Sequence, residues 1–328
     1  MNLRGRFLNH LTQNKFFKPG ETIYIACSGG PDSVALYHLL KSVSADLKIK
    51  LGIIHFNHRL RGKASAADAN FVEKISKDDK ALFVTGAASS KYSAVSKQSL
   101  EEWARNQRYS FFQTAVKTKK IKKILTAHTL DDQAETVLMR IVQGTGPQGL
   151  LGIRKRAIMG SLTLLRPLLE FSKKELLEFL KENKIKFRRD ASNDSTRFLR
   201  NRIRKGLLPL IEREYNPRIR ETLARLPQIL EEETGLLESL KDKAWAKSFS
   251  KKTQGKIHIR RAAFLKLSDY LKFGVLDQAL KSLNPSSGMS FDAWQRVKMG
   301  LHKPFYRQSL PKDLDFELTP SAIAIYRK

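Results

Sequence analysis

A chain of 328 residues is long enough for two domains with separate cores. Its 61 Lys and Arg against 32 Asp and Glu give a net charge of +29, which implies a polyanionic partner, nucleic acid before an anionic membrane, unless the host's proteins are basic throughout. A single cysteine, Cys27, excludes an intrachain disulfide, a Cys-x-x-Cys metal site and an iron–sulfur cluster, and fits a reducing cytoplasm.

Residues 1–17 read as a mixed polar helix and not as a signal peptide, and no apolar run in the chain is long enough to span a bilayer. After a Lys18-Pro19-Gly20 turn, Ile23 to Cys27 is apolar and β-prone, a buried strand in which Cys27 is a small core residue. Ser28-Gly29-Gly30-Pro31-Asp32-Ser33 then leads into an apolar run at helical spacing that reaches Leu40. Leu47 to Phe56 is a second strand, Ser65 to Lys80 a helix, and Ala81 to Thr85 a third strand. Ser99 to Thr118 is a long helix opened by a capping-box pattern of Ser99 and Glu102. Ile121 to Ala127 and Leu130 to Val142 make a fourth strand and its helix. This alternation predicts an α/β fold with a doubly wound parallel sheet. Ligands bind beyond the carboxyl ends of such strands, so the segments at Ser28, His55, Gly86 and His128 are expected along one rim.

Past Gly144 the pattern changes. Gly144-Thr145-Gly146-Pro147-Gln148-Gly149 matches Gly-x-Gly-x-x-Gly but follows a helix, so it is a loop and not a dinucleotide fingerprint. Ser161 to Leu165 is β-prone, Ser172 to Asn183 is a helix with a Ser172/Glu175 capping box, and Asp190 to Lys205 is polar and strongly cationic. The main boundary is placed near residue 215, dividing the chain into domains 1–215 and 216–328. The second domain reads as a smaller, mainly helical α+β unit: helices from Pro217 to Ser250, a linker-like turn at Lys251 to Lys256, two further helices, and strands at Ile257 to Ile259 and Ala322 to Tyr326.

Two stretches carry chemistry. In the first, small residues follow a strand and Pro31 suits the first turn of the next helix, where its missing N–H costs nothing. Free amides and the helix dipole there favour phosphate, although a plain turn between a core strand and a helix has the same look. No Gly-Lys-Ser/Thr triplet occurs, so this is not a Walker A loop. A carboxylate at Asp32 beside a triphosphate needs a bridging cation, and Mg²⁺ prefers one or two carboxylates plus phosphate oxygens. Asp32 with Asp131 or Asp132 are therefore the candidate metal anchors. In the second stretch, His128, Asp131, Asp132 and Glu135 at offsets 0, 3, 4 and 7 fall on one helical face just past a strand end. Thr129 and Asp132 also fit a capping box, which would explain the acidic residues without any chemistry. His55 and His58 lack thiolate partners and a second pair, which argues against zinc. Arg105, Arg108 and Tyr109 share a helix, and Arg197 to Lys205 interleaves cations with Phe198, Leu199 and Ile203. Each is either a solvated charged face or a binder of phosphate backbone.

Seven segments in order make a resemblance: Ser28 to Ser33; His55-Phe56-Asn57-His58-Arg59-Leu60-Arg61-Gly62; Ala104-Arg105-Asn106-Gln107-Arg108-Tyr109; Thr126 through Gly152; Arg166-Pro167-Leu168-Leu169; Asp190-Ala191-Ser192-Asn193; and Arg200-Asn201-Arg202-Ile203-Arg204. Over about residues 20 to 210 the chain resembles the tRNA(Ile)-lysidine synthetases of the PP-loop ATP pyrophosphatase superfamily. The resemblance implies that ATP adenylates C2 of the wobble cytidine in a CAU anticodon, with release of pyrophosphate. An amino group of free L-lysine then displaces AMP to give lysidine, and the tRNA reads AUA. It implies ATP binding by Ser28, Gly29, Gly30, Pro31, Asp32 and Ser33, and Mg²⁺ binding helped by Asp32. Asp32, His128, Asp131, Asp132 and Glu135 become catalytic residues, and Arg61, Arg105, Arg108, Arg200, Asn201, Arg202 and Arg204 become tRNA contacts. Residues 216–328 become one accessory tRNA-binding domain of a cytoplasmic monomer or homodimer, without a membrane partner. The chain departs from the family at Lys63, Ala64 and Ala66, where acidic residues are usual, and at Trp103, where a small one is. The alternatives are another PP-loop tRNA-modifying enzyme, such as a thiolase, and an inactive tRNA-binding protein; cysteine-dependent thiolases need more than Cys27.

Overall fold

Alternating β-prone and amphipathic runs fold here as strands and crossover helices, in a computed structural model that describes residues 2–60, 62–88, 99–188 and 199–327. In chain order the first part comprises α1 (Leu3–Gln13), β1 (Thr22–Ala26), α2 (Pro31–Val43), β2 (Lys50–Asn57), α3 (Lys63–Asp78), β3 (Leu82–Ala87), α4 (Leu100–Lys119), β4 (Lys123–Leu125) and α5 (Leu130–Gln143). Then follow α6 (Pro147–Leu150), β5 (Arg156–Met159), β6 (Leu162–Leu165), α7 (Lys173–Glu182) and α8 (Leu199–Arg202). A π-helical turn (Ile203–Leu207), α9 (Leu208–Glu214) and the long α10 (Ile219–Ser248) complete it.

The six strands order as β3-β2-β1-β4-β6-β5, parallel except for the edge strand β5. Central β1 shows why the sheet needs cover on both faces. Ile23, Ile25 and Cys27 pack with Val34, Leu36 and Leu40 of α2 and with Leu176 and Leu180 of α7. Tyr24 and Ala26 pack on the opposite side with Phe112 and Ala115 of α4. Strands buried on both faces read as continuous apolar runs, which is how β1 and β2 stand out in sequence. Each fully buried Ile, Leu or Val contributes roughly 1.5–3 kcal/mol of transfer free energy.

The chain leaves β1 toward β2 and β3 on one side and reaches β4 and β6 on the other. The crevice at this reversal, beyond the carboxyl ends of β1 and β4, is where such sheets bind ligands. It carries Ser28 and His128. Strand β2 runs on through His55, whose ring is buried with Nδ1 2.8 Å from the Cys27 carbonyl oxygen. Strand β3 runs on through Gly86, where a Cβ would come within 2.3 Å of the Phe111 ring. These two of the four expected rim positions are thus packing positions.

The chain divides into two compact units between Leu230 and Glu231, inside α10, and not near residue 215. The cause is apolar: Ile219, Leu223 and Leu226 of α10 join Ala134, Val137 and Leu138 of α5 in one cluster. The second unit holds a five-stranded antiparallel sheet of β7 (Phe249–Thr253), β8 (Lys256–Arg260), β9 (Tyr306–Leu310), β10 (Leu314–Leu318) and β11 (Ala322–Arg327), ordered β7-β8-β11-β10-β9. Helices α11 (Arg261–Leu265), α12 (Asp269–Leu283) and α13 (Phe291–Gly300) accompany it. Its core includes Ile257, Ile259, Phe264, Val275, Trp294 and Phe316. The expected linker at Lys251 to Lys256 is a β7–β8 hairpin, turned at Gly255 with φ +72°. Its lysines face solvent, which hid the strand pattern. No helix among the described residues is long and apolar enough to cross a membrane.

One polar cluster ties α1 to the first unit. Glu170 lies 3.1 Å from His10 Nδ1 and 2.7 Å from Lys155 Nζ. The His10 hydrogen bond leads in holding its pKa down from 4.5 to about 2. Because the folded value lies below the unfolded one, this stabilisation is complete above pH 4.5 and is lost as the pH falls toward 2. Glu170→Gln is therefore expected to lower stability at neutral pH and to flatten the acid limb of a urea-denaturation series. An unchanged limb would show that the carboxylate contributes nothing.

Candidate active site

The phosphate-loop candidate is pre-formed by its own small side chains. Gly29 adopts φ +88°, a left-handed conformation that a side chain would strain. Ser33 Oγ donates to the Gly30 carbonyl at 3.0 Å and accepts from the Ser28 amide at 3.2 Å, which folds the turn back on itself. From the far side, the Arg188 amide donates to the Gly29 carbonyl at 2.8 Å. Helix α2 begins with Gly30 as N-cap and Pro31 in its first turn, and no side chain caps it. Its first amides therefore face the crevice as an anion site.

Asp32 stands in that first turn. Burial, with Asp132 and Asp131 nearby, raises its pKa from 3.8 to about 6, against the attraction of Lys173. The closest cation, Lys173 Nζ, is 3.7 Å from Oδ2, beyond hydrogen-bond length. Asp132 is the reverse case. Its Oδ2 accepts from the Thr129 amide and hydroxyl at 3.0 Å each, completing the capping box of α5. Its Oδ1 takes Lys173 Nζ at 3.1 Å and Arg200 Nη2 at 3.2 Å, with Arg204 Nη2 at 3.5 Å. Lys173 and Arg200 are the foremost influences that hold its carboxyl far below the usual range despite burial. Capping and charge pairing thus coexist in one carboxylate.

Glu135, one turn further along α5, is 1% exposed. It accepts from Arg200 Nε at 2.9 Å, Arg204 Nε at 2.6 Å and Arg204 Nη2 at 2.7 Å. Asp131 turns away, accepting from the Lys173 amide at 2.8 Å and Arg220 Nη1 at 3.1 Å. The four residues at offsets 0, 3, 4 and 7 therefore do not form one open acidic face. Asp132 and Glu135 share two arginines, and Asp131 serves a separate pair.

His128 precedes the N-cap of α5, with Nδ1 2.9 Å from Thr126 Oγ1. Burial and the cations Arg166, Arg108 and Arg200 press its pKa down to about 3, against Asp132, so the imidazole is neutral at pH 7. A cavity of ≈ 520 Å³ joins the loop to His128. Ile54, Phe56 and Phe112 form an apolar part of its wall, and Arg108, Lys173 and Arg188 are its cations.

The expected metal set does not appear as an open cage. Asp131 and Asp132 each have both oxygens engaged, one by cations and the other by neutral N–H or O–H donors, and the described residues contain no group of three or more His, Cys, Asp or Glu side chains arranged for a metal. Asp32 alone keeps a carboxylate clear of strong partners, which suits one-carboxylate Mg²⁺ binding completed by phosphate. The expected tRNA contacts divide as well. Arg200 and Arg204 point inward to Glu135, whereas Arg202 is exposed and Asn201 half-buried. Helical spacing separates positions 200 and 204 from 202, so a run that reads as uniformly cationic splits between core and surface. Arg105 is exposed with its guanidinium 5.0 Å from the Tyr109 ring centroid, and Arg108, 5.8 Å from that ring, lines the cavity. Arg61 and Asp190 to Asn193 lie outside the described residues.

No motif in the sequence marks Lys173, Arg188, Asp68 or Arg220 as part of this site. Arg188 Nε lies 3.1 Å from Asp68 Oδ1 in the cavity wall. Lys173 had only one signal, its place directly after the Ser172 cap. Replacing Glu135 by a neutral amide leaves Arg200 and Arg204 facing each other with one counter-charge fewer. Glu135→Gln is expected to cost about 3–5 kcal/mol in chemical denaturation. A change within about 0.5 kcal/mol, the usual range for surface substitutions, would show that Glu135 is not the clamp.

A family model of the PP-loop domain matches residues 4–211. The tRNA(Ile)-lysidine synthase of Chlorobaculum tepidum is 32% identical over 326 residues, covering 92% of this chain and 95% of that one. The enzyme of that name from Symbiobacterium thermophilum is 35% identical over 75% of this chain and 51% of its own length. That from Geobacter sulfurreducens is 38% identical over 71% and 49%. The chain thus spans nearly all of the first relative and about half of the other two. Among solved structures, the U34-tRNA thiolase NcsA from Methanococcus maripaludis, with its 4Fe–4S cluster, superposes with a TM-score of 0.58. It is 16% identical over 69% of this chain and 78% of that one, a likeness of fold. With the loop, the strand order and a relative alike along nearly the whole of both chains, this chain belongs to the tRNA(Ile)-lysidine synthase family of PP-loop enzymes.

Proposed function

We propose that this protein uses ATP to join free L-lysine to C2 of the wobble cytidine in the CAU anticodon of tRNA(Ile). The observation that carries this is the single cavity shared by the uncapped loop Ser28–Ser33 and the centre at His128, at the sheet's switch point. In this proposal the triphosphate lies on the α2 amides, and the apolar wall of Ile54, Phe56 and Phe112 takes the adenine. Asp32 would hold Mg²⁺, which supplies neutralisation between carboxylate and phosphates. The C2 oxygen of an unstacked cytidine attacks the α-phosphorus and pyrophosphate leaves. Adenylation makes that oxygen a good leaving group, so an amino group of lysine adds at C2 and AMP departs. In this reading neutral His128 hydrogen-bonds the reacting groups, and the proton released by the amine passes to solvent. The carboxylates of α5 attract the lysine ammonium and hold the arginines in place.

The remaining protein is given to the RNA. Arg105 and Arg202 are exposed cations for the phosphate backbone, and the second unit serves as an accessory tRNA-binding domain. ATP and free lysine place the reaction in the cytoplasm. A thiolase mechanism that needs several cysteines has no support from a chain with Cys27 alone.

Purified protein is expected to incorporate labelled lysine into a CAU-anticodon isoleucine tRNA only when ATP is present. A preparation that binds ATP and tRNA yet incorporates none would overturn the assignment. Asp32→Asn is expected to reduce pyrophosphate release about 100-fold or more while tRNA binding is kept, because one charged group at the reacting phosphates is removed. Loss of tRNA binding as well would make Asp32 a structural residue.

A further inference from the structure

Of the cations that hold Asp132, Lys173 alone lines the cavity beside the loop. Its backbone is pinned, since its amide donates to Asp131 Oδ2 at 2.8 Å at the start of α7. Its side chain is not: Nζ reaches Asp132 Oδ1 at 3.1 Å and only approaches Asp32 Oδ2, at 3.7 Å. A lysine carries its charge on a flexible four-carbon stem, so a fixed amide and a movable ammonium go together. Asp132 keeps other partners if the ammonium leaves, because Thr129, Arg200 and Arg204 remain.

We propose that Lys173 contacts the β- and γ-phosphates of ATP, its ammonium leaving Asp132 Oδ1 and the neighbourhood of Asp32 for the nucleotide when ATP binds. The proposal rests on the reading of Ser28–Ser33 as the ATP loop. Around the centre the charges nearly cancel: Asp32, Asp131, Asp132 and Glu135 face Lys173, Arg200, Arg204 and Arg220. A triphosphate adds negative charge next to Asp32, and a divalent cation between them would repel an ammonium left at 3.7 Å. Moving Nζ to the phosphates relieves both and takes a competing positive charge away from the Asp32 carboxylate. The departing pyrophosphate then keeps a charge-assisted donor as its negative charge grows.

Titration calorimetry with ATP, inorganic pyrophosphate and AMP on the full chain and on Lys173→Met and Lys173→Arg tests this. Lys173→Met is expected to weaken ATP and pyrophosphate about ten- to hundredfold, as for loss of one hydrogen bond to a charged group. AMP, which lacks the β- and γ-phosphates, is expected to lose less than about threefold, and tRNA binding to stay unchanged. Lys173→Arg is expected to recover most of the pyrophosphate affinity. Equal losses for AMP and ATP would make Lys173 a structural residue, and unaltered pyrophosphate binding would remove it from the phosphate site; either overturns the proposal. Failure of the parent protein to bind ATP and pyrophosphate at all would overturn the loop reading itself.

Discussion

A carboxylate buried under two arginines is the constraint on which the centre depends. Glu135, at 1% exposure, accepts from both guanidinium groups, and Arg200 and Arg204 turn inward to it and to Asp132. Taking such charges from water costs several kcal/mol each, offset only when geometry and hydrogen bonding are nearly complete. The three short bonds to Glu135 meet that condition. They also tie α8 and the π-helical turn to α5, which closes one side of the His128 region.

From this clamp the state of the other ionisable groups follows. Asp132 shares both arginines and so remains ionised. Burial keeps His128 neutral against the pull of Asp132, with Arg166, Arg108 and Arg200 adding to it. Asp32 is raised toward neutrality by burial, since Lys173 stands 3.7 Å away and Arg204 acts on it only at longer range. Three acidic residues in one crevice thus do different jobs. Distance to a guanidinium decides which of them is structural and which stays available to a ligand.

The large positive charge has a similar division. Part of it faces solvent, as at Arg105 and Arg202, where it can track phosphates and set association rates. Part is consumed inside the first unit, balancing carboxylates that the net charge conceals. A basic composition therefore overstates the cations that an RNA can reach, and ion pairing in the fold sets the remainder.

Local chemistry determined much of this protein before folding is considered. Apolar strands, capping pairs at Thr129/Asp132 and Ser172/Glu175, and a left-handed Gly29 ahead of Pro31 are short-range features, and they announce the sheet, its helices and the loop. Motifs in a constant order likewise announce the family. The antiparallel sheet of the second unit was half hidden, because the exposed lysines of β7 and the polar alternation of β9 resemble loops. The boundary inside α10 was hidden for another reason: one continuous helix carries residues of two cores. Only tertiary structure decided that Arg200 and Arg204 face Glu135, that Asp131 answers Arg220, and that Lys173 stands between Asp32 and Asp132. Such pairings join residues 41 to 141 positions apart. Spacing along the chain encodes a residue's face on its own element; which charge it meets depends on how the elements pack.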